Sequence, residues 1–409
     1  MRLDYRLIDI DNHYYEPYDA FTRYMEPAFR DHAVNIRKGR NGLGQVWIGD
    51  RRLASASVTQ TDWIGAPGSM RAYFAGMEEK HELSADDEAA VARIGGLQDV
   101  TIDPKTIPEF MDRDARLAKM DEQNLQAVLM LPTLGCTVEY ELGDDAAVAA
   151  ANMRAFNRWL EEDWGYSYRD RIISAPMFNL ADIDAAVAEL DRVLAAGARA
   201  VLVRTGPAGG RSPADPLYDP FWARIAESGV PVGLHIGDSG FCEIYSSHWG
   251  ENPRPPVHKQ TAFQVYTSFM ERPISDTIAA LILHNLFARF PSIRVMSIEN
   301  GAGWVPALLR GMDKAWRSAK GRTGIGGEVV EKPSEVFRRH IHISPFPEDD
   351  IPALIDRIGA DRVLFGSDYP HPEGIAEPGD FADEIADRDA ETIRLVMRDN
   401  NADLLGIPR

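Results

Sequence analysis

Five polar side chains sit where apolar runs of the chain end, and their types suit a divalent metal ion. Asp11 and His13 follow the run Leu7-Ile-Asp-Ile10. Residues two apart on a strand point to the same side, so a carboxylate and an imidazole leave that strand together. His235 lies in Val230-Pro-Val-Gly-Leu-His-Ile236, Glu299 ends Ile293-Arg-Val-Met-Ser-Ile-Glu299, and Asp368 ends Arg362-Val-Leu-Phe-Gly-Ser-Asp368. Taken singly, each is more often a hydrogen-bonded core or turn residue than a ligand. Together, two imidazoles and two or three carboxylates suit Zn²⁺ first and Mn²⁺ second, with donors at roughly 2.0–2.2 Å and one position left for water.

The elements that must position these groups alternate along the chain. Strands are expected at 7–10, 126–132, 171–177, 198–204, 230–236, 293–299, 340–344 and 362–368. Helical patterns fall at 108–124, 144–164, 181–196, 219–228, 261–290, 304–319, 350–358 and 389–405. Eight strands joined by helices close most simply into an α/β fold of the (β/α)₈ TIM-barrel type. An open doubly wound sheet is the alternative, but no strand is followed by a dinucleotide-binding glycine pattern. Barrel active sites lie at the C-terminal ends of the strands, where all five polar residues fall. The chain reads as one domain, 1–409, with a large insertion after the first strand. That insertion, 31–107, carries a hairpin at 34–49 and then Trp63, Met70, Tyr73, Phe74 and Met77 in a Gly- and Pro-rich setting. It is expected to be either a lid over the site or an oligomerisation segment.

Composition excludes several classes. With 409 residues and 44% hydrophobic content the chain can bury a large core. A net charge of −19 argues against nucleic acid or anionic membrane as partners. There is no apolar run long enough to span a bilayer and no signal-peptide pattern in the opening residues. The two cysteines, Cys136 and Cys242, form no disulfide framework, and a cytoplasmic location is expected.

The motifs Asp11-x-His13, Gly233-Leu-His235, Phe290-Pro-Ser through Glu299, Gly366-Ser-Asp368-Tyr-Pro-His-Pro and Asn401-Ala-Asp-Leu-Leu-Gly406 resemble the amidohydrolase superfamily. The similarity is to amidohydrolase family 2, which includes aromatic-acid decarboxylases and ring-fission-product hydrolases. It implies one divalent ion held by Asp11, His13, His235 and Asp368, with Asp368 also taking a proton from water in the hydrolytic members. It also implies a homo-oligomer, dimer or tetramer, acting on a small organic acid or aromatic substrate.

Two positions depart from the family pattern. Relatives with two metals carry a bridging Lys or Glu where this chain has Arg204, which points to one ion and offers a guanidinium for a substrate carboxylate. Decarboxylating relatives carry His where this chain has Glu299, leaving that residue as a fifth ligand, a general base, or a partner of the Gly301-Ala-Gly303 turn. The proton donor is then sought in His371, three residues after Asp368, or in His284, within an apolar helical run. His248 and His258 fall in a loop that either touches substrate or lies at the surface. His340 and His342 share a strand face and are read as structural. The leading expectation is a mononuclear metal-dependent hydrolase using a metal-activated water. The alternative is a metal-dependent non-oxidative decarboxylase of an aromatic or unsaturated carboxylic acid, and the third is a non-catalytic ligand-binding barrel.

Overall fold

The computed structural model describes all residues except 2, 41, 54, 57–61, 63, 72–100, 144 and 257–258. Trp63, Tyr73, Phe74, Met77 and His258 therefore lie outside the described residues. The fold is mixed α/β with parallel sheets. Strand β1, Leu7–Tyr14, is buried at every residue. It pairs in parallel with β2, Leu125–Pro132, which pairs with β3, Ile172–Ser174. A second sheet runs β4 (Met177–Phe178), β5 (Val201–Val203), β6 (Val232–His235), β7 (Val295–Ile298) and β8 (Ile341–Ile343), each parallel to the next. Strands buried on both faces read as continuous Val/Ile/Leu/Met runs, which is why they were visible in the sequence.

The expected single strand 171–177 is split between the two sheets. Ala175 N donates to Met130 O at 3.1 Å, whereas Pro176 has no amide hydrogen and instead accepts from Leu202 N at 2.9 Å. The expected strand 362–368 is not a regular strand. It is held by two parallel bridges, Ile343 with Val363 and Asn12 with Tyr369. Between them run Ile10 N to Phe365 O at 3.0 Å and Asp368 N to Asp11 O at 2.8 Å.

Helices α1 (Arg113–Glu122), α2 (Ala146–Asp163) and α3 (Ile183–Ala195) start at Asp112, Asp145 and Asp182, whose carboxylates accept amide hydrogens of the first turn. Each such cap is worth about 1 kcal/mol. Helix α4, Asp219–Ser228, stops at Gly229 in the left-handed region. The expected helix 261–290 is interrupted, and α5 within it covers Arg272–Leu283 before Asn285 turns left-handed at φ 58°. Helix α6 spans Val305–Ser318, α7 Pro333–His340 and α8 Ile351–Ile358. His340 thus closes a helix rather than opening the strand that carries His342.

After β1, residues Val34–Lys38 and Gly44–Ile48 form the expected antiparallel hairpin. Residues Ile64–Gly65 pair with Thr101–Ile102, and the stretch between Gly65 and Met70 rests on the loop after Asp368. There Gly68 N donates to His371 O at 3.2 Å and Met70 N to Pro372 O at 2.7 Å. No described helix is long and apolar enough to cross a membrane.

Candidate metal centre

At one end of the parallel strands the donor atoms converge. His13 Nε2 lies 3.2 Å from Asp11 Oδ1, 3.3 Å from Asp368 Oδ1 and 3.2 Å from His235 Nε2. His235 Nε2 lies 3.0 Å from Glu299 Oε2 and 3.7 Å from Asp11 Oδ1, and Glu299 Oε2 is 4.0 Å from His13 Nε2. Donors bound to one ion at about 2.0–2.2 Å stand roughly 3.0–3.5 Å from each other, so this spacing fits a shared cation. The donor set, two imidazole nitrogens with carboxylate oxygens, suits Mn²⁺ as well as Zn²⁺.

The backbone places these groups through a small number of buried contacts. Asp11 and His13 share the face of β1 set by the two-residue period. Asp9, two residues earlier, does not join them. It accepts from Ser367 N at 2.9 Å, Ser367 Oγ at 2.5 Å and Asn12 Nδ2 at 2.8 Å, locking β1 against the Asp368 segment. Burial pushes the Asp9 carboxyl up to about 7. The buried Arg116 donates to His13 O at 2.7 Å and to the Asn12 side chain, steadying the same turn from α1. Glu299 and Asp368 both adopt left-handed backbone, with φ 55° and 56°. Such conformations are uncommon for non-glycine residues, cost on the order of 1 kcal/mol and concentrate at functional sites. Asn300 holds the first of them, donating to Leu234 O at 2.9 Å and Ile298 O at 2.8 Å.

The electrostatics of the bare cluster are conflicted. Burial, followed by the charges of Glu299, Asp11 and Glu373, pushes the Asp368 carboxyl far above its ordinary value. Burial acts upward on Asp11 too, but the hydrogen bonds of His13 and His235 outweigh it and hold that carboxyl low. Several carboxylates so close cannot all ionise without positive charge among them, and a divalent cation supplies it.

His371 belongs to the cluster. Its Nδ1 lies 2.6 Å from Asp368 Oδ1, a close contact without hydrogen-bond alignment, and its ring stacks on His13 with centroids 4.0 Å apart. Three other expected residues are placed differently. Arg204 gives its two terminal nitrogens to the carbonyls of Thr205, Ser239 and Pro207 at 2.7–3.0 Å. These contacts tie two loops together and use three of its five N–H donors, while its Nε stands 3.8 Å from Glu139 Oε1. His284 closes α5 and faces Ser212 Oγ at 2.8 Å, and it is not among the clustered donors. His248 is exposed on its loop. His342 Nε2 accepts from Arg362 at 3.1 Å and His340 Nδ1 bonds Ile293 O at 2.9 Å, which accounts for both without a ligand role.

Sequence reasoning missed the residues that support the cluster. Glu16 is buried and accepts from Leu134 N at 3.0 Å and Gly135 N at 2.9 Å, fixing the turn after β2. That turn carries Cys136, whose Sγ is 3.5 Å from His235 Nδ1, and Thr133, whose Oγ1 is 3.0 Å from His371 Nε2. Glu16 stood three residues beyond His13 in the opening motif, a signal that was available. Thr133 and Cys136 offered none, because their partners are far away in sequence.

The amidohydrolase family model matches residues 8–407. The gamma-resorcylate decarboxylase of Rhodococcus jostii (strain RHA1) is 26% identical over 317 residues, which is 73% of this chain and 88% of the relative. The crystal structure of an amidohydrolase from Mycobacterium avium subsp. paratuberculosis K-10 is 40% identical, with a TM-score of 0.87 over 99% of this chain and 100% of that one. A dihydroxybenzoic acid decarboxylase from Polaromonas sp. JS666, solved with manganese and the inhibitor 2-nitroresorcinol, shares the fold at a TM-score of 0.54 and 19% identity, covering 83% of this chain and 94% of that chain. With a family match over nearly its whole length and a 40% identical structure spanning it, the chain belongs to the amidohydrolase family of enzymes.

Proposed function

We propose that this enzyme is a metal-dependent non-oxidative decarboxylase of an aromatic carboxylic acid that bears a hydroxyl beside the carboxylate. The observation that carries the reading is the convergence of Asp11, His13, His235, Glu299 and Asp368 in a chain related over most of its length to gamma-resorcylate decarboxylase. Hydrolysis, the first expectation from sequence, is supported less well by these relatives than its decarboxylase alternative. In this reading the parallel strands form a closed (β/α)₈ barrel, supported by the bridges that carry residues 363–369 between β8 and β1. The 31–107 insertion acts as a lid, supported by the docking of Gly68 and Met70 on the loop of His371. The protein works as a homo-oligomer on a small aromatic acid.

Asp11, His13, His235 and Asp368 would hold one divalent ion, with Glu299 as neighbour or fifth ligand. Mn²⁺ has the better support, since a structural relative was solved with it, and Zn²⁺ fits the same donors. When bound, the ion would supply Lewis acidity and a fixed point for the carboxylate and its neighbouring hydroxyl. Cleavage of the ring–carboxylate bond leaves its electron pair on the ring carbon, which must take a proton as carbon dioxide departs. In this reading the Asp368–His371 contact, 2.6 Å between Oδ1 and Nδ1, would deliver that proton beside the ion. Segment 65–70 packs on the loop that carries His371, with Gly68 N and Met70 N donating to His371 O and Pro372 O.

Incubation of the Mn²⁺-loaded protein with a panel of ortho-hydroxybenzoates in D₂O tests the reading. It expects carbon dioxide release with one deuterium at the vacated ring carbon. Hydrolysis is the second reading, favoured by Glu299, a carboxylate where decarboxylating relatives are expected to carry His. Oxygen-18 from water appearing in products of ring-fission acids, with no carbon dioxide from the benzoates, would replace the first reading with the second.

A further inference from the structure

We propose that residues 244–270 form the twofold interface through which two copies of this chain pair. Apolar surface is left open on this segment more than anywhere else. Among the described residues ten large hydrophobic side chains are exposed, and five of them, Ile244, Trp249, Val265, Tyr266 and Met270, fall here. Trp249, Tyr266 and Met270 are 68%, 70% and 54% exposed. The segment follows β6, the strand that ends in His235, and folds back as short helical pieces: Phe241–Ile244, Ser246–Trp249, Ala262–Gln264 and a π-helical turn, Val265–Phe269. Its rings pack on one another. Trp249 lies 5.9 Å from Phe263 and 6.4 Å from Tyr245 between centroids, and the Arg272 guanidinium stacks on Tyr245 at 3.8 Å. Phe263, Tyr266 and Met270, at helical spacing, extend the same face.

The patch is held rigid from beneath. Gln264 is buried, donating to Asn252 O at 2.7 Å and accepting from Thr261 N at 3.1 Å, and the buried Thr267 donates to Phe263 O at 2.7 Å. An apolar surface already fixed in shape loses little freedom on docking. Size and charge then select the partner. At about 150–250 Å² for a whole aromatic side chain, the exposed parts of Trp249 and Tyr266 come to about 300 Å², and Ile244, Val265 and Met270 bring the patch to about 500 Å². One such patch is at the upper end of what a monomer leaves open, about 300–600 Å². A twofold axis sets each patch against its own equal, so two of them remove about 1,000 Å², and their polar rims carry the total to the roughly 1,200–2,000 Å² of stable pairs. The charges at the edge are compensated in place: Arg254 pairs with Glu243 at 3.2 Å and Glu141 at 3.5 Å, and Arg272 with Asp276 at 3.3 Å. Two molecules that each carry −19 meet most easily across such a surface. A lipid surface would instead call for uncompensated basic residues around the apolar side chains.

The interface rests on the homo-oligomer reading and is independent of the reaction that the metal site performs. Sedimentation of the full-length protein at micromolar concentration should give a mass of at least twice 45.5 kDa. Trp249→Glu and Tyr266→Glu set like charges against each other across the axis. Each should weaken self-association by about 30-fold or more, with circular dichroism and Mn²⁺ binding unchanged. Oxidative footprinting of the parent protein needs no variant: in the assembled protein Trp249, Tyr266 and Met270 should be labelled as little as the buried Trp159. Should either variant misfold, the parent's footprint decides. A parent protein that stays monomeric, including one that instead co-sediments with phospholipid vesicles, overturns the interface and the homo-oligomer reading together. An assembly that survives both substitutions, or in which Trp249 and Tyr266 are labelled freely, overturns the interface and leaves the homo-oligomer reading standing.

Discussion

His342 gives the sharpest quantitative test of the structure, because it is buried, uncharged and clear of the metal cluster. Burial, followed by the charges of Arg362 and Arg294, pushes its imidazole down from an ordinary 6.5 to about 3. Its Nε2 accepts a hydrogen from Arg362 at 3.1 Å, which a protonated ring could not do. A histidine whose folded value lies below its unfolded one takes up its proton more readily when unfolded. The stability it supports is therefore complete above about pH 6.5 and falls as pH drops toward 3. At about 1.4 kcal/mol per pH unit the loss is on the order of 2 kcal/mol by pH 5, and it approaches 5 kcal/mol near pH 3. Urea unfolding at pH 8 and pH 5, on the parent protein and on His342→Gln, isolates this group, since every other titration enters both proteins alike. The parent should lose about 2 kcal/mol more than the variant over that interval. Equal losses would show that His342 is either solvated or charged in the fold, and the account of its surroundings would be wrong.

Three further outcomes bear on the site. Asp368→Asn should weaken binding of Mn²⁺ or Zn²⁺ by about 100-fold or more, read by metal titration, because one of the ionised donors is replaced by a neutral amide. Unchanged affinity would remove Asp368 from the ligand set. Arg204→Lys should lower stability by roughly 2 kcal/mol through loss of charge-assisted bonds to backbone carbonyls, while KM stays within about twofold. A large rise in KM with stability intact would restore Arg204 as a substrate clamp. Chelation should lower the melting temperature and readdition of the ion should restore it, because the ion binds only the folded cluster. No shift in a thermal scan would mean that the carboxylates balance their charge in another way.

The site reading changes how the acidic character of the chain is understood. A net charge of −19 says little about substrate, since in the proposed reading a divalent cation among Asp11, Glu299 and Asp368 would offset most of their charge.

Asp11, His13, His235, Glu299 and Asp368 could be found from the sequence because each sits at the end of a buried run, and strand periodicity is a local property that survives without coordinates. The same holds for the helix starts at Asp112, Asp145 and Asp182, where the cap and its amide partner are neighbours in the chain. What the sequence could not decide were the partners of long polar side chains. Arg204 proved to give three of its N–H donors to carbonyls of Thr205, Pro207 and Ser239, while His284 proved to face Ser212. Thr133 meets His371 across 238 positions, and Asp9 meets Ser367 across 358. Hydrogen bonds act over about 3 Å of space and carry no record of separation along the chain. Residue type announces that a group must be satisfied, and only the packed fold chooses which partner satisfies it.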